Sequence, residues 1–192
     1  MSFADAPHDS PLRVVPGYRS VATDFAGKRI VIAREEDIPF TVDGVVLEED
    51  TFLAMSAPAD VVSPPGHAVR VMTRAWEARP EEPGTVIVKC GATTRLLAIV
   101  HDFDCDPSWN EAWVEAALEA IFARAAEEGL RALRLPLLAT HRGRLRAHRF
   151  MALLRGALVR DEGGDTELRA IWLQREDECG DTLLRALQDA ED

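Results

Sequence analysis

Two short runs of opposite charge hold the side chains best suited to chemistry. The first is Leu47-Glu48-Glu49-Asp50; the second is "ATHRGRLR", residues 139–146. A guanidinium group grips an anion through a planar fork of donors. Arg142, Arg144 and Arg146 therefore read as an anion site, in which each charge-assisted bond contributes ~1.5–3 kcal/mol. Carboxylates oppose that chemistry: one placed ~4 Å from a phosphate charge costs about 4 kcal/mol at an effective dielectric of 20. The opposing terms are of similar size, so three readings stand side by side. The basic run neutralises an acidic rim of its own chain, it binds an anion directly, or it docks on an acidic partner.

The run "HDFDCD" (101–106) alternates Asp102, Asp104 and Asp106 in the manner of a calcium loop. Such a loop needs Gly at its sixth position and Glu at its twelfth. Pro107 and Trp113 stand there, which excludes it. His101, Cys105 and a carboxylate would make a metal site, and His101 with Cys105 or Asp104 a nucleophile pair, but nothing in the sequence activates such a pair. As plain structure they are a polar strand end, with Asp106 or Ser108 capping the next helix. No metal and no cofactor is expected. Trp76, Trp109, Trp113 and Trp172 could stack on a base, yet at strand-end and helical positions they read as packing. Signatures of phosphate loops, dinucleotide folds, zinc proteases and serine hydrolases are all missing.

The chain of 192 residues carries a formal net charge of −11. A general nucleic-acid binder would be basic, so that class is set aside; solubility and a basic partner fit better. Cys90, Cys105 and Cys179 form no CxxC pair, which excludes a disulfide framework and suits the reducing cytoplasm. The first fifteen residues lack the pattern of a signal peptide. No apolar run is long enough to cross a bilayer, so no membrane partner is expected.

Alternating short strands and helices must position these residues. Residues 1–20 read as an arm with an edge strand at Leu12–Val15, and residues 21–192 as a single domain. Strands are expected at Lys28–Ala33, Val42–Leu47, Thr85–Lys89, Leu96–His101, Leu133–Leu138 and Glu167–Gln174. Helices are expected at His67–Ala78, Asn110–Glu128, His148–Val159 and Asp181–Ala190. Ser108 and Glu111 read as a capping box for the second helix, Gly129 as its stop, and Asp181 as the cap of the last. This order implies an α/β fold, a three-layer α/β/α sandwich with a mixed central sheet. The apolar runs Leu96–Val100 and Leu133–Leu138 belong inside that sheet. Ligands of such sheets bind beyond the carboxyl ends of the strands, which selects residues 47–57, 101–108 and 139–147 as the rim.

On these residues the chain resembles a macro domain, the ADP-ribose-binding α/β module. "REEDIPFTVDGVV" (34–46) is similar to that family's opening: a strand, a turn ending Asp-Ile, then "VDAIV". "AEEGLRALRLPLLAT" (126–140) looks like its helix end and following strand, and "TVIVKCGATTRLLAIVHDFDCDPSW" (85–109) like the paired strands before it. The resemblance spans residues 28–160 and implies a macro-domain fold. It also implies a cleft in which Asp37 and Ile38 sit where adenine is held. Asp50 stands for an asparagine near the distal ribose, and Thr140, His141, Arg142, Gly143 and Arg144 stand for the phosphate loop.

Two departures fall on that cleft. Leu47–Asp50 replaces Asn-Ala-Ala-Asn and its glycine-rich loop, and residues 139–144 replace Ser-Thr-Gly-x-x-Gly. A glycine loop binds diphosphate by converging backbone N–H groups with no Cβ between them; His141 and Arg144 put side chains there. The expectation is a divergent, non-catalytic macro-like module with a degenerate cleft, acting through its surface on a protein partner. In it, Glu48–Asp50 face Arg142–Arg146 across the cleft. The alternatives are binding of ADP-ribose or a related nucleotide, and hydrolysis of an ADP-ribosyl ester with Asp50 orienting a water.

Overall fold

Runs of β-branched and aliphatic residues build the sheet, as a pleated surface buried on its faces requires. The computed structural model describes residues 20–55, 79–162, 166–176 and 179–189. Its elements are β1 (Val21–Phe25), β2 (Lys28–Ala33), β3 (Gly44–Asp50), β4 (Val86–Lys89), β5 (Thr94–His101), α1 (Glu111–Glu127), β6 (Ala132–Pro136), α2 (Ala147–Asp161), β7 (Ala170–Gln174) and α3 (Gly180–Gln188). The expected edge strand at Leu12–Val15 and the helix at His67–Ala78 lie outside the described residues.

The strand order is β1-β2-β7-β6-β3-β5-β4. The five inner strands are parallel, and β1 and β4 flank them antiparallel. The fold is an α/β sandwich on a mixed central sheet, as expected. β6 lies mid-sheet, and Leu96–Val100 of β5 are at most 1% exposed. The three described helices pack side by side on one face. There Ile32, Val46, Leu96, Leu135 and Leu173 of the sheet meet Leu118 and Ile121 of α1, Phe150 and Leu154 of α2, and Leu183 and Leu187 of α3. By strand alternation, Val45, Leu47, Arg134 and Trp172 point to the other face. No described helix is long and apolar enough to cross a membrane.

Three local features differ from expectation. β1 is an added strand, joined to β2 by Ala26 and Gly27 at φ 47° and 72°. Positive φ at both central residues is the hairpin geometry that matches strand twist, but Ala-Gly is not its usual sequence signal. The N-cap of α1 is Asn110, whose Oδ1 accepts from Trp113 N at 2.9 Å; this displaces the expected box of Ser108 and Glu111 and the alternative cap Asp106. The cap of α3 is Cys179, with no side-chain bond, and Asp181 sits inside the first turn. Gly129 does stop α1, in the left-handed region at φ 62°.

β3 also starts later and runs further than its apolar pattern. Asp43 sets the start: its carboxylate accepts from Arg131 N and Ala132 N at 2.9 and 3.1 Å, fixing β3 against the entry to β6. The far end carries Glu48, Glu49 and Asp50 inside the ladder with β5, past an irregularity between Glu49 and Asp50. That extension decides the chemistry of the site.

Candidate ligand cleft

Beyond the carboxyl ends of β2, β3, β6 and β7 lies a cleft of about 570 Å³. The place is the one this topology favours, and the volume suits a nucleotide-sized molecule. Its walls are polar. Glu35 follows β2, Glu48 comes from β3, Arg134 from β6, and Gln174 and Glu176 from the end of β7. Thr140, His141 and Arg142 close it from the loop after β6. The Arg134 guanidinium lies 5.5 Å from the centre of the Trp172 ring and donates to Glu35 at 3.1 Å. His141 Nδ1 stands 2.9 Å from a Glu176 carboxylate oxygen. A groove of about 520 Å³ on the face away from the helices shares Leu47 and Arg134 with the cleft, and Ile38, Phe40 and Trp172 line it.

The acidic run is not the lip expected of it. Glu48 Oε1 lies 2.6 Å from His101 Nε2, and Oε2 accepts from Ala139 N at 2.8 Å. His101 is fully buried, and its Nδ1 has no partner. Because a carboxylate only accepts, the ring proton sits on Nε2. Glu49, also fully buried, accepts from Met55 N at 3.1 Å. Asp50 is 1% exposed and accepts from Phe52 N at 2.7 Å and Ala54 N at 3.0 Å. The cause is general: a strand that ends in a tight turn leaves backbone N–H groups to satisfy, and short acidic side chains fold back onto them. Of the runs expected to face each other, Glu48 and Arg142 share the cleft without an ion pair between them, while Asp50, Arg144 and Arg146 do not line it.

The basic run is divided as well. Arg142 and His141 face the cleft, whereas Arg144 and Arg146 turn to a separate pocket at the start of α2. The loop between them is tightly wound. Thr140 donates to Leu137 O through its backbone N at 3.2 Å and its Oγ1 at 2.7 Å, and Leu145 N donates to Ala139 O at 2.9 Å. Ala139 and Arg144 adopt left-handed φ of 57° and 61°, which costs a non-glycine residue ~1–2 kcal/mol. Gly143 is buried. A Cβ there would meet Ala139 O at 2.7 Å and the Trp109 ring at 2.8 Å, so the position takes glycine alone.

Of the residues expected at the site, Thr140, His141 and Arg142 line the cleft and Ile38 the neighbouring groove. Asp37, Asp50, Gly143 and Arg144 line neither. Asp37 is half-buried in a turn, with its N donating to Arg34 O at 3.2 Å. Glu35, Arg134, Gln174, Glu176 and the Glu48–His101 pair had not been singled out. One signal for Arg134 was available: it is a lone charge between Leu133 and Leu135 in a central strand. The Cys105 thiol, exposed, donates to an Asp102 carboxylate at 3.2 Å. That bond, with minor desolvation and the charges of Asp102 and Asp104, pushes its pKa up, away from an activated nucleophile. Among the described residues no cluster of three His, Cys, Asp or Glu side chains could hold a metal ion.

No protein-family model matches the sequence, and no curated protein matches it. Solved structures do. A mutant of the Oceanobacillus iheyensis macrodomain aligns with a TM-score of 0.65 at 11% identity, over 95% of this chain and 95% of that one. Another mutant of the same macrodomain, with ADPR, gives 0.64 at 10% identity over 88% and 97%. The Trypanosoma brucei macrodomain in complex with ADP gives 0.56 at 13% identity over 82% and 68%. The fold of this chain is macrodomain-like.

Proposed function

We propose that the chain is a non-catalytic, macrodomain-like module whose cleft is degenerate for ADP-ribose and which acts through its surface. One observation carries this reading: the Glu48 carboxylate occupies Ala139 N, a backbone donor of the loop after β6, from within the protein. A phosphate near that donor would face a resident carboxylate, at a cost of about 4 kcal/mol for ~4 Å and an effective dielectric of 20. His141, tied to Glu176, and Arg134, tied to Glu35, are partly spent as counter-cations. The Thr140 hydroxyl, which lines the cleft, donates to Leu137 O and not to His141, and both Glu48 oxygens already hold hydrogen bonds.

A second reading is binding of an anionic nucleotide through side chains. The open volume of the cleft and the Arg142 guanidinium, which makes no ion pair among the described residues, favour it. Calorimetric titration of ADP-ribose separates the two. The first reading expects a dissociation constant weaker than ~100 μM for the native chain, and tightening by about tenfold or more in Glu48→Gln, where the repelling charge is gone. Micromolar binding by the native chain would establish the second reading instead.

A further inference from the structure

The loop 139–146 has a second side. Behind the cleft, at the start of α2, lies a pocket of about 320 Å³ lined by Trp109, Glu111, Arg144, Arg146, His148 and Arg149, with Leu145 at its base. Three guanidinium groups meet one carboxylate there, on a chain whose net charge is −11. Glu111 is taken up by Arg149, whose Nε donates to both of its carboxylate oxygens at 3.2 and 3.0 Å. Arg144 and Arg146 are exposed, and among the described residues their side chains make no ion pair or hydrogen bond.

A second observation points the same way. α2 has no side-chain cap and no acid in its first turn. Arg149 N and Phe150 N bond to Arg146 O, which leaves the N–H groups of Ala147 and His148 without partners among the described residues. Cations beside the positive end of a helix are unfavourable, and they repel one another. Glu111 offsets Arg149; an anion would offset Arg144 and Arg146. The guanidinium forks of Arg144 and Arg146 and the N–H of His148 offer more donors than a carboxylate's two oxygens can use, while the terminal oxygens of a phosphate match them.

We propose that this pocket binds a phosphate monoester group, as free phosphate or as a phosphate carried on a peptide side chain. The site stands apart from the cleft and from the function assigned to it. The test follows backbone amide shifts of the full chain during titration with inorganic phosphate at constant pH and ionic strength. Saturable shifts at Arg146, Ala147 and His148 are expected. Arg144→Gln with Arg146→Gln weakens binding by about tenfold to a hundredfold. Arg169→Gln, an exposed charge at the amino end of β7, leaves it unchanged. The rest of the spectrum reports that the double variant is folded. A phosphoserine peptide that binds more tightly than inorganic phosphate identifies a peptide as carrier; equal affinity identifies the phosphate group alone. Shifts that do not saturate, survive the double substitution, or appear equally with acetate would overturn the proposal.

Discussion

Glu48→Ala is expected to lower folding stability by about 3–4 kcal/mol, because it removes two hydrogen bonds to a carboxylate, nominally worth ~1.5–3 kcal/mol each, and leaves their donors buried. The side chain of Glu48 is 14% exposed and that of His101 is fully buried. His101 Nδ1 is already without a partner, so loss of Glu48 leaves both ring nitrogens orphaned in the interior. Ala139 N, also buried, loses its acceptor at the same time. Glu48→Gln keeps one acceptor oxygen and the volume, and should cost less than half as much. Denaturant unfolding with an unchanged slope measures both. A loss below ~1 kcal/mol for the Ala variant would mean that this carboxylate does not join β3, β5 and the β6 loop.

Asp50→Ala should cost about 2–3 kcal/mol. Two charge-assisted bonds, to Phe52 N and Ala54 N, would nominally be worth ~1.5–3 kcal/mol each. Phe52 and Ala54 are exposed, so water recovers part of the loss. Asp50→Asn, which retains one acceptor, should cost roughly half. Because Asp50 lines neither the cleft nor its neighbouring groove, ligand affinity at the cleft should change little beyond any shift of the 51–55 turn. A specific loss of cleft affinity with stability intact would return Asp50 to the binding site.

The sheet was legible because its signal is redundant. Ile30–Ala33 and Leu96–Val100 are apolar on consecutive positions, as two-sided burial demands, and α1 shows its buried stripe at helical spacing. The site was legible only in place. The rim after β6 is where the topology puts it, and Thr140, His141 and Arg142 line it. The partners of the charged residues were not legible. Glu48, Glu49 and Asp50 read as a rim facing the basic run because they follow the apolar run Val42–Leu47. In the structure they continue β3, and each is held by backbone N–H groups from elsewhere in the chain or its own turn. Pattern reports which face a residue takes, not which distant amide needs an acceptor. The division of the basic run has a similar cause. Gly143 packs on Trp109 and Arg144 turns left-handed, which sends Arg142 and Arg144 to opposite sides of one loop.

The most direct test of the occupied-cleft account is the Ala139 amide resonance in ¹H–¹⁵N spectra recorded during titration with ADP-ribose. The account predicts a strongly downfield proton in the native chain, as expected for an N–H donating to a carboxylate at 2.8 Å. That resonance should stay in place to roughly 10 μM ligand, well below the ~100 μM limit on the dissociation constant, and move upfield in Glu48→Gln, where a neutral acceptor replaces the charge. An Ala139 amide that is undistinguished in the free protein, or that shifts and saturates with micromolar ADP-ribose, would contradict it.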